Sequence, residues 1–188
     1  MIELTRGQEM ALTTEAGQPL TQLQMGLGWD KERGAGFIGT GAPDVDLDAS
    51  AVQFAGGQLF DLAFYNNLKT RDESVVHLGD NISGRGEGDD ERLTVDLSRV
   101  YAKVDTMLFL VSSYQGHTLE WVRNAYCRLV DDHDAELARF TLTGGTPRTG
   151  LVMAKLFRDG EQWRLKAIGE GVAITVPTES LDRLTPFL

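Results

Sequence analysis

The chain has 188 residues, 41% of them apolar and 24% charged, which fits one globular domain with room for a sizeable core. Its net charge is −10 and its pI near 4.7, so it lacks the basic face that nucleic acid requires and would not dock on anionic lipid by charge alone. The single cysteine, Cys127, cannot form an internal disulfide, no apolar run approaches the ~20 residues of a spanning helix, and residues 1–7 carry no signal-like segment; a cytoplasmic protein without integral membrane association is expected.

Most of the chain reads as strands. Ile2 and Leu4, then Met10 and Leu12, flank Thr5-Arg6-Gly7-Gln8 as two short strands around a turn. Leu23, Met25, Leu27 and Trp29 alternate on one face of a strand over 20–29, with Asp30 at its end. A glycine-rich loop follows over 31–43. Asp44, Asp46 and Asp48 then alternate with Val45, Leu47 and Ala49, which puts three carboxylates on one face of a strand. They are either metal ligands or the charged outward face of an edge strand. Val52 and Phe54 lead to a turn at Gly56-Gly57, and the next strand, 59–65, ends at Asn66-Asn67. Asp30 and Asn66 are candidate ligands from neighbouring loops, although Asn66 also suits a plain turn.

A short strand at 74–78 leads into the segment 79–91, from which Leu93, Val95 and Leu97 alternate outward. The apolar run 105–111 suits a central strand buried on both faces. A helical turn is expected around Trp121 within 116–123. Ala125, Cys127 and Leu129 alternate with Tyr126, Arg128 and Val130, and Asp131-Asp132-His133-Asp134 turns into a strand over 137–142. Asp159-Gly160 joins 151–158 to 161–168 as a hairpin with a primed turn. Residues 180–188 suit a short amphipathic helix. Strands at roughly ten-residue intervals, without linker or repeat, indicate an all-β, two-sheet sandwich over 1–188, with loops gathered at its ends.

The most distinctive stretch is 79–91. It holds five acids (Asp80, Glu87, Asp89, Asp90, Glu91), one base (Arg85) and four glycines (Gly79, Gly84, Gly86, Gly88). Two like charges ~5 Å apart cost about 0.8 kcal/mol even in bulk water. Glycines let the backbone turn tightly and direct carbonyls inward. Carboxylates, the Asn81 amide oxygen and carbonyls make up the ligand set of Ca²⁺, which accepts six to eight oxygens in flexible geometry. The alternative is a solvated acidic loop that serves only solubility.

Other motifs fail. An EF-hand begun at Asp44 breaks at Ala49 and Ala55, and one begun at Asp80 breaks at Ile82. Gly26-x-Gly28 and Gly84-x-Gly86 lack the third glycine of a dinucleotide fingerprint, since Lys31 and Asp89 stand there. His77, His117 and His133 are too scattered for a zinc spacing. Cys127 lies on an apolar strand face as a buried thiol, and Ser83 lacks a nucleophile elbow. Trp29 and Trp163 read as core residues.

Taken in order, the segments Gly26-Leu-Gly-Trp-Asp30, Asp46-Leu-Asp-Ala-Ser-Ala51, Phe64-Tyr-Asn-Asn-Leu68, Gly79-Asp-Asn through Gly88-Asp-Asp-Glu91, Asn124-Ala with Arg128-Leu-Val, and Leu156-Phe-Arg158 through Trp163 to Ala167-Ile-Gly169 resemble the TerD-domain family of tellurite-resistance and general stress proteins. The resemblance covers nearly the whole chain. It implies a β-sandwich that binds calcium at loops on one end, a role in resistance to tellurite or other chemical stress, and no established enzymatic activity. The family's glycine-acid segment reads G-D-N-x-T-G-x-G-D-G-D-D-E. Here Ser83 keeps the hydroxyl, Glu87 lengthens one arm, and Arg85 stands where an acid is common.

Together these readings imply two or more Ca²⁺ ions. Asp80, Asn81, Asp89 and Asp90 are the leading ligands, then Glu87, Glu91 and the carbonyls near Gly84 and Gly86. Asp30, Asp46, Asp48 and Asn66 complete the site from neighbouring loops. Calcium would order the acidic loops into a surface that binds or scaffolds a protein partner, such as another stress-resistance protein. The alternative is a metal-dependent hydrolase at the same loop, with His77 as the nearest base.

Overall fold

In the computed structural model of the chain, residues 1–14, 16–31, 47–79, 88–120, 122–142, 144–178 and 181–188 are described. The alternating segments form twelve strands: β1 (Ile2–Leu4), β2 (Glu9–Ala11), β3 (Gln22–Lys31), β4 (Asp48–Ala55), β5 (Gln58–Ala63), β6 (Val75–His77), β7 (Glu91–Asp96), β8 (Thr106–Ser112), β9 (Val122–Val130), β10 (Glu136–Leu142), β11 (Gly150–Asp159) and β12 (Gln162–Val172). A 3-10 helix spans Leu181–Phe187.

Two six-stranded sheets result, ordered β1-β10-β9-β3-β7-β6 and β2-β12-β11-β8-β4-β5. Only the β1–β10 pairing is parallel among the described strands. The turn after β1, with Gly7 at φ 82°, carries the chain from one sheet to the other. Leu23, Met25, Leu27 and Trp29 all face the interior, as their alternation predicts, and meet Met107, Phe109 and Met153 of the opposite sheet. The apolar run becomes β8, buried along its whole length between β11 and β4. A second apolar layer covers the outer face of the β8 sheet. There Leu184 of the terminal 3-10 helix seals Val52, Leu62, Leu110 and Val152.

Three expectations are corrected. Residues 116–120 form no helix: Leu119 makes a bridge to Thr146 and Val122 already begins β9; Trp121 lies outside the described residues. Pairing of Asp159 with Gln162 makes Gly160–Glu161 the two-residue turn, with Gly160 at φ 65°. Asp48 is not on the outward face of an edge strand, because β4 lies between β8 and β5 and Asp48 is only 7% exposed. Asp44, Asp46 and the rest of 32–46 lie outside the described residues, as do Asp80, Asn81, Ser83, Gly84, Arg85, Gly86 and Glu87.

Strand register sets the site. The pairs Leu27↔Glu91, His77↔Leu93, Asp30↔Arg123 and Asp48↔Ser112 bring the end of β3, the start of β4, the end of β6 and the starts of β7 and β9 to one end of the sandwich.

Candidate functional site

Beyond its last pair with β7, β3 remains fastened to the foot of the acidic run. The Asp90 N–H donates to Leu27 O at 2.9 Å, and the Trp29 N–H donates to Asp90 Oδ2 at 2.9 Å. Three consecutive acids then diverge: β7 begins only at Glu91, so the alternation that would put Asp89 and Glu91 on one face does not reach back to Asp89.

Asp89 lies on the outer face of the β3 sheet, its side chain 2% exposed. Arg128 grips it bidentately, Nε donating to Oδ1 at 2.6 Å and Nη2 to Oδ2 at 2.8 Å. The Tyr126 hydroxyl donates to Oδ1 at 3.1 Å and Arg92 Nε to Oδ2 at 3.1 Å. Register explains the geometry: Gly26 pairs with Arg92 on one side and Arg128 on the other. The carboxylate therefore rests on a residue without a side chain, between two guanidinium groups. A Cβ on Gly26 would stand 2.3 Å from Asp89 Oδ2, and one on Gly28 would stand 2.4 Å from Tyr126 Cζ. The two glycines that suggested half of a nucleotide fingerprint are thus a cradle for Asp89 and Tyr126.

The network extends sideways. Arg139 lies over the Tyr126 ring at 4.3 Å and donates to Glu136 at 2.8 and 2.9 Å, while Arg128 Nη1 reaches Glu136 at 3.3 Å. The hydrogen bond from Arg139 holds the Glu136 carboxyl below its usual range. The Arg128 guanidinium is pushed up, first by its hydrogen bond to Asp89. Burial, and then the Asp89 charge, push the Tyr126 hydroxyl up to about 12.

Glu91, the first residue of β7, points inward and is 2% exposed. Its Oε2 accepts the Ala49 N–H at 3.2 Å, beyond the end of the β4–β5 ladder at Ala51↔Ala63. His77 Nε2 stands 2.8 Å from the same oxygen. The Gly79 N–H donates to His77 Nδ1 at 3.2 Å, and Nε2 meets Glu91 as a close polar contact rather than a well-directed hydrogen bond. One carboxylate thus ties β7 and β6 of one sheet to β4 of the other.

Among the described residues, the expected ligands are therefore grouped by end but not by direction. Asp89 faces outward from one sheet and Glu91 faces into the sandwich. Asp48 sits on the opposite side of β4 from Ala49, which packs in the shared core. Asp30 pairs with Arg123 one residue before the end of β3. Asn66 is exposed at the tip of a turn closed by reciprocal bonds between Phe64 and Asn67, 3.0 and 2.9 Å. Among the described residues no three His, Cys, Asp or Glu side chains converge as a metal cage. Burial, first, and then the Asp89 charge push the Cys127 thiol up, so it is a core group without nucleophilic character.

Arg128, Tyr126 and Asn124 carry roles that sequence reasoning leaves unassigned. The signal for Arg128 and Tyr126 is their outward position opposite two glycines. Asn124 adopts φ 50°, a left-handed conformation that asparagine tolerates, where β9 bulges opposite the end of β3.

This fold and site define a class: a two-sheet sandwich whose acidic segment is anchored at one end by strand contacts from both sheets. The sequence pattern of the TerD domain matches residues 1–178, and the chain belongs to the TerD-domain family. It is 39% identical over 173 residues to the tellurium resistance protein TerZ of Serratia marcescens, covering 90% of this chain and 89% of that one. It is 37% identical over 197 residues to the stress response protein SCP2 of Bacillus subtilis, covering 97% and 98%. The crystal structure of a homologue of telluride resistance protein (TerD) from Streptomyces coelicolor shares the fold. Its TM-score is 0.64 at 19% identity, over 82% of this chain and 92% of that one.

Proposed function

We propose that the chain acts in resistance to tellurite or related chemical stress, as a calcium-binding protein whose ordered acidic loops present a surface to a protein partner. The observation that carries this reading is the foot of the acidic segment. Asp90 is bonded to β3 and Glu91 is braced between the sheets, so the five-acid run starts from a fixed base. Hard carboxylate oxygens suit Ca²⁺. Asp80, Asn81, Glu87 and the carbonyls near Gly84 and Gly86 would hold it, together with Asp90 and with Asp30, Asp46, Asp48 and Asn66 from neighbouring segments. Asp89 does not fit a ligand role, because Arg128, Arg92 and Tyr126 already engage its oxygens. When bound, the ion would neutralise the repulsion among the remaining acids.

This is a binding protein rather than an enzyme. The base a hydrolase would use, His77, is fully enclosed between Gly79 and Glu91, which counts against proton exchange with a substrate. The cytoplasmic assignment rests on the single, buried cysteine; no helix among the described residues is long and apolar enough to cross a membrane. Metal analysis of the purified protein, with calorimetric titration of the EDTA-treated protein, tests the reading. Bound calcium and a saturable heat are expected; neither metal nor heat at millimolar Ca²⁺ would overturn it.

A further inference from the structure

The outer face of the β8 sheet carries a cationic cleft, on a chain of net charge −10. Lys155 of β11 and Lys166 of β12 stand directly opposite each other. Like charges in that relation destabilise a sheet. Arg6 joins them from the turn between β1 and β2. That turn is stitched to β12 by Gly7 N–H to Ala167 O at 2.8 Å and Ala167 N–H to Gln8 O at 3.0 Å, and Arg6 itself donates to Gly169 O. The three cations border a cavity of about 370 Å³ that is lined also by Ile168, Pro186, Phe187 and Leu188 and by one acidic side chain, Glu170.

Only part of this charge is neutralised. Lys166 is held by Glu9, its cross-strand neighbour on β2, at 3.0 Å. Lys155 donates instead to a neutral acceptor, Phe187 O, at 3.0 Å. Among the described residues no carboxylate lies within salt-bridge reach of Lys155 or Arg6. Burial pushes the Lys155 ammonium down, and the Lys166 charge pushes it further. An anion in the cleft would oppose the Lys166 repulsion and favour the charged form of Lys155 against its burial.

We propose that this cleft binds a small phosphorylated molecule, its phosphate against Arg6, Lys155 and Lys166 and its compact body against Ile168, Pro186 and Phe187. Two unpaired cations and a shared third match a dianion better than a single carboxylate. An arginine fork beside lysine point charges is a common phosphate-binding combination. The volume exceeds that of inorganic phosphate and falls in the range of small-ligand sites. The site lies on the opposite sheet from Asp89 and Asp90, and it stands independently of the calcium reading.

The test is an amide NMR titration of the full chain with glycerol 3-phosphate, in EDTA so that no metal bridges the ligand. Saturable shifts at Gly7, Ala167 and Ile168 are expected, with none on adding glycerol. Arg6→Gln with Lys166→Gln should weaken the dissociation constant at least tenfold; Lys155 is left intact because it holds Phe187. If the double variant loses its dispersed spectrum, Lys166→Gln alone should weaken binding several-fold in a folded protein. A parallel arm uses phosphatidic acid vesicles, whose headgroup offers the same phosphomonoester. Binding to vesicles without binding to the soluble ester would overturn the proposal. So would absence of shifts at 20-fold molar excess and millimolar ligand, or shifts that the variants leave unchanged.

Discussion

The Asp89 carboxylate occupies the space that a side chain at position 26 would take: a Cβ on Gly26 would lie 2.3 Å from Oδ2. Real Cβ atoms do not approach so closely, and Asp89 cannot retreat without releasing Arg128. Gly26→Ala should therefore destabilise the fold by about 2 kcal/mol through overpacking and partial loss of the ion pair. Chemical denaturation measures it. An unchanged midpoint would show that the cradle is looser than its geometry indicates.

Arg128 holds the larger share of the Asp89 charge, and its removal leaves a nearly enclosed carboxylate with Arg92 and Tyr126 as partners. Arg128→Met should cost roughly 3 kcal/mol, below the full penalty for an unpaired buried ion because Arg92 remains. Adding Asp89→Asn to that variant should recover part of the loss, as a double-mutant cycle would record. Strictly additive losses would mean that the two residues do not act as a pair.

The Tyr126 hydroxyl titrates higher in the fold, at about 12, than its ordinary value of 10.0. A group whose folded value is raised contributes stability that is complete below the unfolded value and is lost as pH climbs to the folded one. Stability should thus fall between about pH 10 and pH 12, and Tyr126→Phe should remove that component of the slope. Urea midpoints across this range, with phenolate absorbance followed alongside, provide the check. Equal slopes for both proteins would refute the assignment.

Sequence pattern discloses the sandwich because its strands bury one face each: Leu23, Met25, Leu27 and Trp29 need only period-2 alternation to be read. The continuous run of β8 is legible for the complementary reason, that both its faces are covered. The end at which Asp90 and Glu91 stand is legible too, since their crowding has few inexpensive explanations. What pattern does not disclose is direction and partner. Asp89 and Arg128 are 39 positions apart and meet only through the β3–β9 register. Three adjacent acids look like one ligand group in sequence, and alternation would put Asp89 and Glu91 on one face; because β7 begins only at Glu91, they instead stand on opposite sides of the sheet. The helical turn expected near Trp121 fails because Leu119 pairs with Thr146, a contact set by chain topology rather than local preference.

The separation of Asp89 from Asp90 yields the sharpest test of the calcium reading. Asp90 reaches the loop end and uses Oδ2 on the Trp29 N–H, whereas Asp89 is committed to arginine. At calcium 100 times its dissociation constant, binding adds about 2.7 kcal/mol, or roughly 5–10 °C in Tm for a chain of this length. Asp90→Asn should remove most of that calcium-dependent increment while the Tm in EDTA falls only slightly, since an amide oxygen still accepts the Trp29 N–H. Asp89→Asn should behave in the opposite way, lowering the Tm in EDTA and in calcium by similar amounts and preserving the increment between them. If Asp89→Asn abolishes the increment instead, the carboxylate leaves Arg128 for the ion, and the anchor role assigned to it fails.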